Sequence, residues 1–475
     1  MAGPRDRFLD LLRGGSIVAV VVGHWLVADL TWSAGRVVET SALGEVPAMW
    51  PLTWILVVIP LFFFVGGFAN RRSWEGTLRR GEGYAAYLDR RTHRVLVPTG
   101  LYLVVVTVAG LVIDQLGGLG IRATGGLFFQ PLWFLGVYLW VVALVPLTLR
   151  AHHRFGWWVP AVLLLLVVLG DLGRFAADVE ALGYVNVLSV WLLMHQLGYL
   201  YADGALGGRL PLAFTVGGLA LTCLLVAALP YDATMVGVTD GPVGNMHPPT
   251  LAMTSVGLAQ IGAVLLLRDR LTRWLQRPRV WVAVVVVNLN VVTIYLWHQP
   301  ALTIAARITL PLGYPHPDPG SLAWWAAHLL WLLLPGAVLA GLVALVGRAE
   351  RVAAPPAAPA GLVTARAAAA AVVLLGLGLL ALAGSSATEP FEAGQSLGPF
   401  TAAPLLGLSA VVVGALVFWG LRAGAHRARL ALVGGAALLA AVGLGWSMPV
   451  LLVLAGALGV VAALPARSGA VADRA

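Results

Sequence analysis

Apolar stretches long enough to cross a bilayer recur along the chain almost to its end, separated by short clusters of arginines and acids. A hydrocarbon core about 30 Å thick asks for about 20 residues of helix. Segments of that kind lie near residues 15–32, 52–70, 95–113, 131–149, 157–171, 184–202, 211–229, 250–267, 280–299 and 322–347. Four more follow near 362–384, 404–421, 430–446 and 449–465. The pattern predicts an all-α fold, a polytopic transmembrane bundle of about ten helices with about four extra C-terminal ones.

Composition agrees with a bilayer setting. Sixty per cent of the residues are hydrophobic, 11% are charged and the mean hydropathy is +0.89, whereas soluble domains carry about 25% charged residues. The formal charge of +9 raises the question of nucleic acid, and its distribution answers it. Every basic residue is Arg, and the arginines form short patches between apolar segments, not one long basic face. No nucleic-acid partner is expected; membrane lipids are.

With the N-terminus placed in the cytoplasm, all but Arg36, Arg122, Arg174 and Arg307 of the 30 arginines fall on the inner side of the fourteen-helix layout. Acids such as Glu39, Glu45, Asp171 and Asp178 populate the outer loops. Both termini are therefore expected in the cytoplasm. The N-terminus shows no convincing small-residue cleavage site and its first helix carries His24, so it reads as a retained signal anchor. Cys223 is the single cysteine and lies in an apolar run, which leaves neither a disulfide framework nor a cysteine metal site.

A domain boundary is expected where Pro355, Pro356 and Pro359 separate charged residues from an Ala-rich run. Residues 1–350 then form one transmembrane domain, 351–361 a linker and 362–475 an accessory helical bundle. The accessory helices carry no ionisable residue deep in their spans, so chemistry is sought in residues 1–350.

The first helix holds the leading constellation. Arg13 and His24 are eleven residues apart, which is about 16 Å along a helix and within about 20° of one face. In a spanning helix Arg13 would sit at one edge of the bilayer and His24 near its middle. An ionisable residue at such depth is costly and invites a functional reading. An imidazole there can act as a general base, or it can be a buried His bonded to another helix. Asp10 pairs with Arg13 at i, i+3.

Further candidates follow along the chain. In Tyr87-Leu-Asp-Arg90-Arg91-Thr-His-Arg94-Val-Leu-Val-Pro98 a helical entry would gather Arg90, Arg91 and Arg94. That guanidinium array suits phosphates, or it is topology alone, since cytoplasmic loops are Arg-rich. Trp133 opens the fourth span in Gln130-Pro-Leu-Trp133-Phe134-Leu135, where an interfacial aromatic belt is the plain reading. His298 stands in Tyr295-Leu-Trp-His298-Gln-Pro300, after Asn288 and Asn290. Pro300 frees a backbone carbonyl there, so the surroundings are expected to be wet or protein-lined. His195 is a weaker candidate of the same kind, and His152, His153 and His426 lie in cytoplasmic loops. There is no HExxH, P-loop, dinucleotide turn or GxSxG elbow.

Taken in order, these residues resemble the membrane-bound acyltransferase-3 family. The likeness rests on Leu9-Asp10-Leu-Leu-Arg13 with His24 after ten residues, and on Phe62-Phe-Phe-Val-Gly66-Gly67-Phe68. Arg90, Arg91, Arg94 and Pro98, then Leu132 to Leu135, then Tyr295 to His298 continue it, and Asn245-Met-His-Pro248-Pro249 is similar to actinobacterial members. It covers about residues 5–350. One departure is Gly66, where the family usually has Ser, so no hydroxyl role transfers to that position.

The resemblance implies transfer of an acyl group, usually acetyl from acetyl-CoA, to a hydroxyl of a carbohydrate, glycolipid, cell-wall polymer or secondary metabolite. Acyl-CoA would be a substrate, and no permanently bound cofactor or metal is implied. On this reading His24 is the general base or a transient acyl carrier, and Arg13 orients the donor. Arg90, Arg91 and Arg94 bind the phosphates of CoA, while Trp133, His298 and Asn288 shape the acceptor side. The rival is a proton-coupled transporter or exporter of a lipid-linked or hydrophobic substrate, with His24 as a proton relay.

Overall fold

The computed structural model describes residues 6–33, 36–115, 132–236 and 244–350. The expected linker at 351–361 and the four accessory helices lie outside the described residues. The chain divides into two compact units: Met1–Gly81 with Val141–Val352, and Glu82–Trp140 with Ala353–Ala475.

Helices make up most of the described structure. In order they are α1 (Arg7–Val27), α2 (Ala42–Glu45), α3 (Trp50–Leu56), α4 (Ile59–Arg79), α5 (Tyr84–Gln115), α6 (Leu132–Phe155), α7 (Trp158–Phe175), α8 (Glu180–Gly183) and α9 (Asn186–Ala202). After them come α10 (Leu210–Ala228), α11 (Leu251–Leu266), α12 (Arg268–Trp274), α13 (Pro278–Leu289), α14 (Val291–Thr309), α15 (Leu322–Trp331) and α16 (Leu333–Glu350). Among the described residues six spans are long and apolar enough to cross a membrane, or eight if each of two bent helix pairs counts as one. The protein is a multi-pass helical membrane protein.

Three expectations shift. The first helix begins at Arg7, well before residue 15, because Asp6 caps it by accepting hydrogen bonds from the backbone N–H groups of Phe8 (3.1 Å) and Leu9 (3.3 Å). It ends at Val27, where the chain turns extended and β1 (Ala28–Ser33) pairs antiparallel with β2 (Arg36–Ser41). Thr31, Trp32 and Val37 favour that ladder, and an apolar window cannot separate it from more helix. His24 consequently lies in the last turn of α1, not at its mid-length.

The second shift concerns residues 280–299, expected as one span. They form α13 and α14, bent by 77°. The amides of Asn288 and Asn290 reach back to the carbonyls of Val284 and Val286, each at 2.8 Å, local bonds that compete with a continuous helical ladder. Asn290 takes φ −115°, ψ 17° and closes α13.

Third, Asp171, expected in an outer loop, is a buried residue of α7. Its carboxylate accepts from Asn186 Nδ2 (2.7 Å), Tyr231 Oη (2.8 Å) and the N–H of Leu251 (2.7 Å). One acid thereby ties α7 to α9 and to the start of α11, where a negative charge suits the helix N-terminus.

Helix α4 lies against α9 at the Gly-Gly-Phe stretch. A Cβ on Gly67 would collide with the carbonyl oxygen of His195, and one on Gly198 with that of Phe64. The paired glycines let the two backbones touch, the packing device expected where helices associate in lipid. Gly67→Ala is therefore expected to destabilise the protein by about 1–3 kcal/mol, read as a lower unfolding midpoint in detergent. Gly66→Ala, whose Cβ would meet its nearest atom at 3.7 Å, is expected to have little effect.

Candidate functional site

Helix α1 packs on α4, α13 and α14. Its polar face meets the bent pair at two levels. At the lower level Arg13 Nε donates to Asn288 Oδ1 (2.5 Å), and Arg13 Nη2 lies 3.4 Å from Asp10 Oδ1. Asn288 Nδ2 donates to the carbonyl of Asp10 (2.8 Å) as well as to that of Val284. Gly14 permits the approach, since a Cβ there would stand 3.0 Å from Asn288 Nδ2.

Three turns further along α1, His24 Nδ1 lies 2.8 Å from His298 Nε2. His298 is wholly buried, and its Nδ1 lies 2.5 Å from the carbonyl oxygen of Tyr295. Trp25 Nε1 donates to the backbone carbonyl of His298 at 3.1 Å, which locks α14 to α1 beside the pair. His24 itself keeps some of its surface accessible. Pro300, two residues on, removes the N–H that would have closed on the carbonyl of Leu296.

Four of the residues singled out from sequence thus come together as Arg13–Asn288 and His24–His298. Asn288 and His298 are both engaged by neighbouring groups. The amide of Asn288 is engaged by Arg13, Asp10 and Val284, and both ring nitrogens of His298 are taken up by neighbours. Both side chains hold residues of α1. About a third of the Arg13 side chain is exposed.

Arg90, Arg91, Arg94 and Trp133 belong to the second unit. The arginines lie within α5, which starts at Tyr84 and runs through Pro98. The helical entry expected for these arginines is thus the opening of α5. Arg90 pairs with Glu82 at 2.6 Å, and Arg94 is exposed. Trp133 sits in the first turn of α6, edge-on to Phe134 at 6.2 Å.

His195 is buried with Nε2 3.1 Å from Asn70 Nδ2, the structural role of an interhelical histidine. His152 and Asp203 stand 51 residues apart, so no local pattern marks their contact. His152 Nε2 lies 2.7 Å from Asp203 Oδ2, and Arg71 Nη1 lies 2.5 Å from Asp203 Oδ1. They join the ends of α6 and α9 to α4. Beyond the last turn of α1, Asp29, His316, His328, Tyr314, Trp324 and Trp331 line a cleft that no sequence motif signals, with His316 Nε2 3.5 Å from Asp29 Oδ2. Among the described residues no three His, Cys, Asp or Glu side chains gather as a metal site needs.

A family model described as an acyltransferase domain (acyltransferase-3) matches residues 6–347. No curated protein matches the chain, and no solved structure does. The matched range takes in α1, the bent pair and the arginines of α5.

Burial raises the Asp203 carboxyl, but the hydrogen bonds from His152 and Arg71 outweigh it and hold the group below its ordinary range. A carboxylate held low when folded adds stability above its unfolded value, near about 3.9, and loses it as pH falls through the folded value. Asp203→Asn should therefore lower the unfolding free energy by about 1 kcal/mol at pH 7, discounted for a side chain 38% exposed. Thermal unfolding at a series of pH values should show that gap closing below about pH 4.

Proposed function

The chain belongs to the acyltransferase-3 family, and we propose that it moves an acyl group, acetyl in the first instance, from cytoplasmic acyl-CoA to a hydroxyl of a carbohydrate, glycolipid or secondary metabolite. It is a membrane acyltransferase; the match supports no transporter role. The single observation that carries the finer reading is the placement of Arg13 and His24 on one face of α1, each backed by a polar residue of the bent pair.

In the proposed reaction His24 draws the proton from the acceptor hydroxyl as its oxygen attacks the thioester carbonyl. Arg13, held at Nε by Asn288 and paired at Nη2 with Asp10, orients the donor. The phosphates of CoA fall to Arg90, Arg91 and Arg94, whose planar forks match them. Trp133 would line the acceptor path. With the basic loops inside, the donor enters from the cytoplasm and both termini lie there, the chain being seated in a bacterial inner membrane.

The decisive test uses purified protein, radiolabelled acetyl-CoA and a membrane extract as the acceptor pool. His24→Ala should cut label transfer by about 10²–10⁴-fold in protein that still elutes as a folded species. Transfer unchanged in that variant would remove His24 from the chemistry. Replacing Arg90, Arg91 and Arg94 together by Ala should raise KM for acetyl-CoA by about tenfold or more, the loss of one charge-assisted bond or several, with a smaller change in kcat.

A further inference from the structure

The geometry points to His298 as the residue that fixes which nitrogen of His24 is basic, a positioning residue and not an acceptor contact. This rests on the reading of His24 as the base. A carbonyl oxygen can only accept a hydrogen bond, so the contact of His298 Nδ1 with the Tyr295 carbonyl at 2.5 Å requires the proton of His298 to sit on Nδ1. A neutral imidazole carries one N–H, and its other nitrogen is then an acceptor. Nε2 of His298 therefore offers a lone pair, and Nδ1 of His24, 2.8 Å away, must donate to it.

Ring geometry supports that bond. The centroids are 5.0 Å apart and the planes differ by 12°. With the nitrogens at 2.8 Å, the two rings meet edge to edge in nearly one plane, where N–H and lone pair are directed at each other. Among the described residues His24 Nε2 meets no other donor or acceptor.

The outcome is a directed chain: His24 Nδ1–H donates to His298 Nε2, and His298 Nδ1–H donates to the Tyr295 carbonyl. Nε2 of His24 is left as the basic atom. During transfer Nε2 takes the hydroxyl proton while the acceptor oxygen bonds to the acyl carbon. The C–S bond breaks, and the departing thiolate takes the proton back from Nε2. Acyl-CoA and alcohol become ester and CoA thiol, and His24 returns to its starting tautomer.

A carboxylate commonly orients a catalytic imidazole. Here a neutral ring does so, which avoids burying an unpaired negative charge among apolar helices whenever His24 is neutral. When His24 is protonated, its bond to His298 becomes charge-assisted and strengthens. Trp25 and Pro300 serve the same end by fixing the backbone from which His298 projects.

Two substitutions separate positioning from packing. His298→Leu fills the space but offers no lone pair; His298→Gln supplies an amide oxygen near the place of Nε2. In the acetyl-CoA and membrane-extract assay, His298→Leu should lower kcat by at least about 100-fold with KM for acetyl-CoA within about twofold, and His298→Gln should recover at least a tenth of wild-type kcat. Both must keep the unfolding midpoint and elution of the wild type. Wild-type kcat in His298→Leu, or equal loss in both folded variants, would overturn the assignment. If His24→Ala also keeps full activity, the failure lies with the base itself and not with its positioning.

Discussion

Two polar ties between α1 and the bent pair α13–α14 support the rest of the site. Each joins helices inside a membrane protein, where an unmatched polar group is expensive. Arg13 with Asn288 and His24 with His298 meet that demand pairwise. The pairing also fixes the rotation of α1 about its own axis: a helix turned by one residue, about 100°, would lose both ties together.

The bend between α13 and α14 is what makes two contacts possible. Asn288 precedes the break and His298 follows it, so one partner is presented from each arm. The asparagine amides that divert the ladder are the same side chains that terminate α13 or hold Arg13. Missing Cβ atoms also make room, for the Asn288 side chain at Gly14 and for the backbone of α9 at Gly67. On the proposed reading, the histidine pair at the far end of α1 would provide proton chemistry without a buried fixed charge beside it.

Much of this is legible in the sequence. Apolar windows find nearly every described helix, because lipid imposes one length and one composition on a span. The alignment of Arg13 with His24 follows from helical periodicity alone. The partners do not, because Asn288 and His298 lie about 275 residues away and their polarity reads equally well as acceptor contact. No window marks the hairpin after Val27 or the break at Asn290, because Val, Thr and Trp score as membrane-compatible in strand or helix alike. The tie of His152 and Arg71 to Asp203 has no local signal at all. Asp171, an acid near a predicted boundary, reads as loop until its three donors are seen.

The placement of His24 at the reacting centre is tested most directly by a structure of the protein in lipid nanodiscs with a non-hydrolysable thioether analogue of acetyl-CoA. The carbon that replaces the acyl carbonyl is predicted to lie within about 4 Å of the His24 ring on its Nε2 side, allowing for a near-attack separation of about 3–3.5 Å, with His298 still bonded to Nδ1. An analogue bound with that carbon remote from His24, and with the histidine pair closed off from it, would contradict the assignment.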